Sequence, residues 1–421
     1  MAYGRTNRRT FLAQGIGMTA ALAAASTLRP KRVSANDKIG IGMIGVGRRG
    51  RQLMGLPPDA EIVAVADVYQ THMDEVAAGK SWTKYPDYRD LLADDRVDAV
   101  IIASPDHWHA LHAVHACQAG KDAYVEKPLT LTIAEGRAMV EAARAHGRIV
   151  QTGSQQRSMA ACRMGCELVR NGLVGKIKTV HTDNYPSPWE CELPGQPVPE
   201  GLNWDMWCGQ TEMRPFHEEL FEPRVRGQEA GWISFRPYSG GEMTGWGSHG
   251  LDMIQWALGT DKTGPVEVWP IPGTEPTDDK VHKGPLCHVG FRYADGVELY
   301  LDGEGPAGGG LFEGELGSIR VDRGTYTVTT GIGKEPDGSE QPEVLPVSAN
   351  HMQNWLDCIR SRELPIADVE IGHRSATMCH LGNIARWANR PLKWDPDAER
   401  FIDDDDANAY LSRPMREPWT L

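Results

Sequence analysis

Residues 106–115 read DHWHALHAVH and crowd four imidazoles, His107, His109, His112 and His115, into ten positions. Imidazoles at that density could hold a metal ion or pass protons. On a helix of 3.6 residues per turn, His109 and His112 stand about 60° apart, as do His112 and His115, but His109 to His115 spans roughly 120° and His107 lies off that face. A catalytic zinc takes three protein ligands converging on one point. The spacing supplies no such trio, so no metal is assigned, and the segment reads as a turn running into a helix in which His112 and His115 are ordinary residues.

A second chemistry is written at Gly45-Val46-Gly47-Arg48-Arg49-Gly50, directly after the apolar run KIGIGMI. A G-x-G-x-x-G that ends a strand and opens a helix lets the backbone approach a pyrophosphate and sets a helix N-terminus against its charge. Asp67 closes the next apolar run, EIVAVAD, twenty residues after Gly47, where a carboxylate binds the adenosine ribose hydroxyls. A carboxylate there repels a ribose phosphate, which favours NAD; Arg48 and Arg49 leave NADP open. Glu126-Lys127-Pro128 falls at the carboxyl end of a later strand, the edge at which open α/β sheets place ligands.

Positioning these residues takes a frame of alternating elements. Apolar runs at 38–44, 61–67 and 97–104, then DAYVEKP and RIVQTGS, alternate with helical stretches every 25 to 35 residues, which predicts a Rossmann-type, doubly wound parallel sheet over residues 36–155. Past residue 155 the rhythm changes: a helix near 158–171, a proline- and tryptophan-rich stretch from Tyr185 to Pro237, the helix SHGLDMIQWALG, then alternating strands joined by Asp-Gly and Arg-Gly turns. That pattern predicts a second, α+β domain over 156–395 with a mainly antiparallel open sheet. Two late helices, roughly 349–361 and 371–389, are expected to pack back on the first domain. Residues 396–421 read as a tail, whose acidic run at 403–406 is a solvated stretch rather than a calcium loop, since it lacks alternate ligands and a glycine turn. The eight cysteines form no C-x-x-C pair and read as packed thiols.

SPDHWH, AGKDAYVEKP and GGEMTGWGSHGLD occur in this order along the chain. In that order they resemble the glucose-fructose oxidoreductase, inositol dehydrogenase and rhizopine-catabolism family, Gfo/Idh/MocA, over nearly all of residues 38–400. The resemblance implies that Lys127 touches both the nicotinamide side of the cofactor and the substrate hydroxyl, with Glu126 positioning it. An ammonium beside a developing alkoxide stabilises the charge as the proton leaves. It also implies that Ser104, Pro105 and His109 border the nicotinamide, with His107 facing the same pocket; Asp106 stands where Asn is commoner. His249 matches the family histidine, the expected proton acceptor. The acid that should precede it by four residues is missing, because Gly245 occupies that position, and Asp252 is the expected substitute. Gln155, Arg157, Tyr185, Trp204, Trp207 and Arg236 are the expected sugar contacts, aromatic faces covering pyranose C–H faces. A homo-oligomer through the second sheet is also implied.

The first 35 residues differ from the rest. They hold six basic residues and no acid, the core NRRTFL and the apolar stretch FLAQGIGMTAALAAASTL, with Val33-Ser34-Ala35 as a cleavage site. They resemble a twin-arginine export signal, an uncleaved anchor being the alternative, and predict a periplasmic protein with no membrane span after cleavage. Without those six, 38 basic residues face 57 acidic ones, a net of −19, which repels phosphate backbones and argues against nucleic acid as a partner. A periplasm offers no free NAD, so the cofactor is expected to be tightly held and the cycle redox-neutral. Two cycles fit: hydride exchange between sugar or cyclitol hydroxyls, or glycoside cleavage through transient oxidation at C3, elimination and re-reduction. A redox-inactive binding protein is the third reading, against which Lys127 and His249 stand.

Overall fold

The computed structural model describes residues 37–221, 231–274, 284–329 and 342–421; residues 1–35, read above as an export signal, lie outside them. Six short runs become strands β1 (Ile39–Ile44), β2 (Ala60–Ala66), β3 (Thr83–Tyr85), β4 (Ala99–Ile102), β5 (Asp122–Val125) and β6 (Val150–Thr152). They lie in the order β3-β2-β1-β4-β5-β6, and every neighbouring pair is parallel. β1 and β4 are buried throughout, as unbroken apolar runs must be in a sheet covered on both faces. The strand order reverses between β1 and β4, so the crevice beyond their carboxyl ends is where such a sheet receives a ligand.

Local chemistry fixes the helices around this sheet. Thr132 and Glu135 form a reciprocal capping box that starts the helix Ile133–Ala145. Asn350 and Asp368 cap the late helices His351–Ser361 and Val369–Ala388. Trp355, Leu356 and Ile359 of the first late helix join the core on one face of the parallel sheet, and Val369 and Ala376 of the second join the other.

Among the described residues the second sheet has nine strands: β7 (Ile177–Thr182), β8 (Glu267–Ile271), β9 (His288–Arg292), β10 (Glu298–Leu301), β11 (Gly310–Gly314), β12 (Ser318–Asp322), β13 (Thr325–Thr329), β14 (Leu392–Asp395) and β15 (Arg400–Phe401). Their order is β13-β12-β11-β7-β10-β9-β8-β14-β15. Only β7 and β10 run parallel among these pairs. The helix Ala160–Arg170, the helix Gly247–Leu258 and part of Val369–Ala388 bury one face of the sheet in a single apolar core.

The stretch expected to be a tail is built into the structure. It adds β15, Asp404 caps the short helix Asp405–Asn408 and pairs with Arg390, and Arg413 reaches Glu135 at 2.8 Å. Trp419 meets the ring of Trp108 edge-on at 4.9 Å. All eight cysteines are free and buried. Among the described residues, no helix is long and apolar enough to cross a membrane.

Candidate active site at the dinucleotide cleft

A cleft of about 990 Å³ opens beyond the carboxyl ends of β1 and β4, lined by Gly45, Gly47, Arg48, Arg49, Asp67, Ser104, Pro105, His109, Glu126 and Lys127. Two glycines of its floor admit no side chain. Gly45 has φ +82°, and a Cβ there would stand 2.7 Å from the Ser104 nitrogen; a Cβ on Gly50 would stand 2.1 Å from the Gly45 carbonyl oxygen. Backbone packed this closely leaves a bare cradle of the kind a pyrophosphate needs. Asp67 accepts from Val46 N at 2.8 Å and from Tyr69 N at 2.9 Å, one carboxylate oxygen each. It thereby ties the glycine turn to the end of β2, and lone pairs remain for ribose hydroxyls. These residues fit NAD.

Glu126, 3 % exposed, organises the opposite wall. Its Oε1 accepts from Arg49 Nη2 at 2.7 Å and Gln155 Nε2 at 3.1 Å, and its Oε2 accepts from the Lys127 backbone N at 3.2 Å. Lys127 is thereby directed across the cleft, where its Nζ donates to the Gly245 carbonyl at 3.2 Å. His109 braces the same turn: Nδ1 lies 2.7 Å from the Pro128 carbonyl and Nε2 lies 2.8 Å from the Ser104 carbonyl. Burial pushes its pKa down, and a neutral ring has one N–H, so it serves one carbonyl at a time.

Two carboxyls that line the cleft with Lys127 were not assigned from sequence. Glu242 lines the cleft at the start of the helix Glu242–Gly245. Asp106, 2 % exposed, accepts from Ser239 Oγ at 2.6 Å. Burial pushes the Asp106 carboxyl up to about 7, against the pull of the Ser239 hydroxyl and the Lys127 charge. Unfolded it titrates near 3.8, so the folded chain holds this proton more tightly. That contribution to stability is complete below about pH 3.8 and is lost as pH rises through about 7. Asp106→Asn removes the loss. Its melting temperature should gain on that of the native protein as pH rises from about 5 to about 7 and level off above; a gap constant over that range would contradict the burial argument.

His249 stands one layer back. It is 7 % exposed, its ring packs edge-on against Trp246 at 5.7 Å, and Trp246 lines the cleft where His249 does not. Burial first, then the charges of Lys127, Arg323 and Arg49, hold it well below the usual histidine range, hence neutral.

Several expected contacts lie elsewhere. Asp252 does not accompany His249: with Arg157 it forms a buried pair, Arg157 Nε at 3.0 and 2.9 Å and Nη2 at 2.9 Å from its oxygens, completed by Ser375 at 2.7 Å. Three positions along a helix leave two side chains only about 60° apart, so spacing permits the pairing; Arg157, and Ser375 of the neighbouring helix Val369–Ala388, take Asp252 instead. Tyr185 is buried with its hydroxyl on Thr182 and Ala307, and Trp204 is buried with its Nε1 on the Arg214 carbonyl. Arg236 lies over Trp387 at 4.4 Å. His107 turns inward to donate from Nε2 to the Trp207 carbonyl at 2.8 Å. Gln155 supports Glu126 instead of lining the cleft, while Trp207 does line it. Of the histidines treated as ordinary, His112 stacks on Trp108 at 4.7 Å and lines the cleft, whereas His115 binds the Tyr88 hydroxyl at 2.6 Å.

Residues 39–154 match the family model described as oxidoreductase family, NAD-binding Rossmann fold, and residues 167–421 match that of its C-terminal alpha/beta domain. The chain belongs to the Gfo/Idh/MocA oxidoreductase family. Curated relatives of this Gfo/Idh/MocA protein include an inositol 2-dehydrogenase of Saccharopolyspora erythraea, 36 % identical over 146 residues, 34 % of this chain and 43 % of the relative. Another is an alpha-N-acetylgalactosaminidase of Shewanella oneidensis, 30 % identical over 203 residues, 41 % of this chain and 44 % of the relative. The chain thus matches less than half the length of either. Among solved structures, the WlbA dehydrogenase of Bordetella pertussis, in complex with NADH and UDP-GlcNAcA, superposes with a TM-score of 0.61 at 19 % identity, covering 85 % of this chain and 99 % of that one. That likeness establishes the shared fold.

Proposed function

We propose that this protein oxidises a ring hydroxyl of a sugar or cyclitol with an NAD that it keeps bound, and that it works outside the cytoplasm. The observation that carries the reading is Lys127, whose ammonium crosses to the Gly245 carbonyl of the second domain in the cleft that the glycine turn, Asp106 and Glu242 also line. The glycine turn holds the pyrophosphate and Asp67 the adenosine ribose. Bound there, NAD supplies the acceptor for the hydrogen and electron pair of a carbinol C–H. Lys127 stabilises the alkoxide that develops on the substrate oxygen, and Trp207, Trp232 and Trp246, which line the cleft, offer faces to the sugar C–H groups.

Export is supported by the NRRTFL core and its apolar run. Tight cofactor retention is supported by the way the second domain closes over the adenosine end. Asn203 N donates to the Val68 carbonyl at 2.9 Å, Gln70 N donates to the Gly201 carbonyl at 3.0 Å, and Phe221 stacks on His72 at 5.7 Å. Phe221→Ala opens that wall. Bound NAD should leave the variant about tenfold faster, roughly 1.4 kcal/mol, as read by NAD remaining per chain after timed dialysis; native retention would refute the closure.

A second reading, NAD-dependent glycoside cleavage through transient oxidation, is favoured by the missing acid at Gly245 and by the alpha-N-acetylgalactosaminidase relative. Purified mature protein incubated with an aryl glycoside and no added NAD decides between them. Aglycone release supports cleavage; reduction of bound NAD by a free sugar or cyclitol without release supports the oxidoreductase.

A further inference from the structure

Gly245 has no positive φ, so its backbone does not demand glycine. What occupies the space is a neighbour: a Cβ built on Gly245 would stand 2.8 Å from Glu242 Oε2 and 3.4 Å from Ile233 Cδ1. Glu242 lies three residues earlier on the same turn of helix, so its longer side chain reaches over the face that a residue at 245 would present. The Gly245 carbonyl is also the group that Lys127 Nζ bonds at 3.2 Å, which brings the ammonium and the displaced carboxylate to one end of the cleft.

Other acceptors near Lys127 are engaged or withdrawn. Asp106 is covered and holds the Ser239 hydroxyl, and His249 sits behind Trp246. Glu242 is half-buried and lines the cleft, and among the described residues its carboxylate has no hydrogen-bond or ion-pair partner. A carboxylate that lines the same cleft as an ammonium, both close to Gly245 and its lone pairs unclaimed, is equipped to hold a hydroxyl and take its proton.

We propose that Glu242 is the catalytic carboxylate of this site, moved one helical turn from position 245, where it binds the substrate hydroxyl opposite Lys127 and receives its proton. The assignment rests on the ring-hydroxyl oxidation proposed above. In the balanced step the substrate O–H bond breaks and its proton passes to Glu242 Oε2. The carbinol C–H bond breaks, its hydrogen leaving with the electron pair to bound NAD, and a C=O bond forms. The alcohol is oxidised by two electrons and the cofactor reduced by two. Lys127 keeps its proton throughout and stabilises the oxygen in transit.

The test uses the NAD-loaded protein as native, Glu242→Ala, Glu242→Gln, and the double variant Glu242→Ala with Gly245→Asp. The last clears the space and restores a carboxylate from the other position. The probes are myo-inositol, D-glucose and 4-nitrophenyl N-acetyl-α-D-galactosaminide. Affinity is read by quenching of the cleft tryptophans, independently of turnover, and oxidation by a single-turnover rise in NADH absorbance; melting temperature and NAD per chain control for folding. Both single variants should bind at least about tenfold more weakly and oxidise about 10²-fold more slowly with NAD content unchanged. The double variant should recover most of both losses. Single variants within about threefold of native, or a double variant no better than Glu242→Ala, overturn the assignment. If the native protein binds a probe and oxidises none, the proposed function and the proton transfer to Glu242 fail, while the affinities of the four proteins still decide whether Glu242 holds the hydroxyl. If it neither binds nor oxidises any probe, both fall.

Discussion

Lys127→Ala should reduce the single-turnover rate of substrate oxidation by about 10³-fold while leaving NAD per chain unchanged. The magnitude is that of removing one preorganised charge from a developing oxyanion in a water-poor site. The second half of the expectation follows from the geometry. The pyrophosphate cradle depends on Gly45 and Gly50, the ribose site on Asp67, and neither uses the Lys127 side chain. Glu126 holds Lys127 through its backbone N–H, so truncating the side chain leaves the hub of Arg49, Gln155 and Glu126 intact. NAD content measured by absorbance after denaturation and rate measured per bound NAD separate the two effects. A variant that loses NAD but keeps the native rate per remaining cofactor would make Lys127 a cofactor ligand and nothing more. Lys127→Arg should recover little, because a planar guanidinium does not replace a compact ammonium at a single oxygen.

The dinucleotide half of this site was legible because its requirements are local. A glycine turn between a strand and a helix, and an acid at the end of the next strand, are fixed by sequence neighbours, and the structure joins Asp67 to Val46 as that pattern requires. Glu126-Lys127-Pro128 was legible for a similar reason, as a strand end on the ligand edge of the sheet. The sugar side was not, because it is assembled from segments far apart in the chain. Arg157, Tyr185 and Trp204 are chemically suited to a sugar, yet which way each points depends on partners as far as 122 positions along the chain. The Tyr185 hydroxyl is claimed by Thr182 and the Ala307 carbonyl, Trp204 by the Arg214 carbonyl. Glu242 was within reach of sequence reasoning. With no acid at Gly245, Glu242, three positions earlier, is nearer to that position by helical spacing than Asp252, seven positions beyond it. Asp106 carried a signal too, as an acid where Asn is commoner. Among the strands, β3 and β15, of three and two residues, gave too little alternation to recognise.

Arg157 and Asp252 carry the second large expectation, which concerns stability. Their side chains are each 1 % exposed; Arg157 also binds Asp261 Oδ1 at 2.6 Å and lies over Trp256 at 5.0 Å. The guanidinium bridges the helix Gly247–Leu258 to the start of the second domain, and Ser375 alone would be left to satisfy Asp252 without it. Arg157→Met strands that carboxylate in the core and should cost about 3–5 kcal/mol of unfolding free energy in denaturant. Replacing both partners with apolar residues should cost less than Arg157→Met alone, since desolvating the unpaired charge is the larger part of the loss. Sugar affinity and the rate per bound NAD should stay within about twofold of native in the folded fraction, because the pair lies outside the cleft. The opposite pattern, native stability with sugar affinity lost, would return Arg157 to the substrate site. The cleft residues Glu242 and Trp246 lie on and just after the short helix Glu242–Gly245, ahead of the helix Gly247–Leu258 that carries Asp252. Arg157 therefore acts within the second domain, fixing the helix Gly247–Leu258 against the segment that opens that domain, and its removal should be visible in the melting curve and not in turnover per bound NAD.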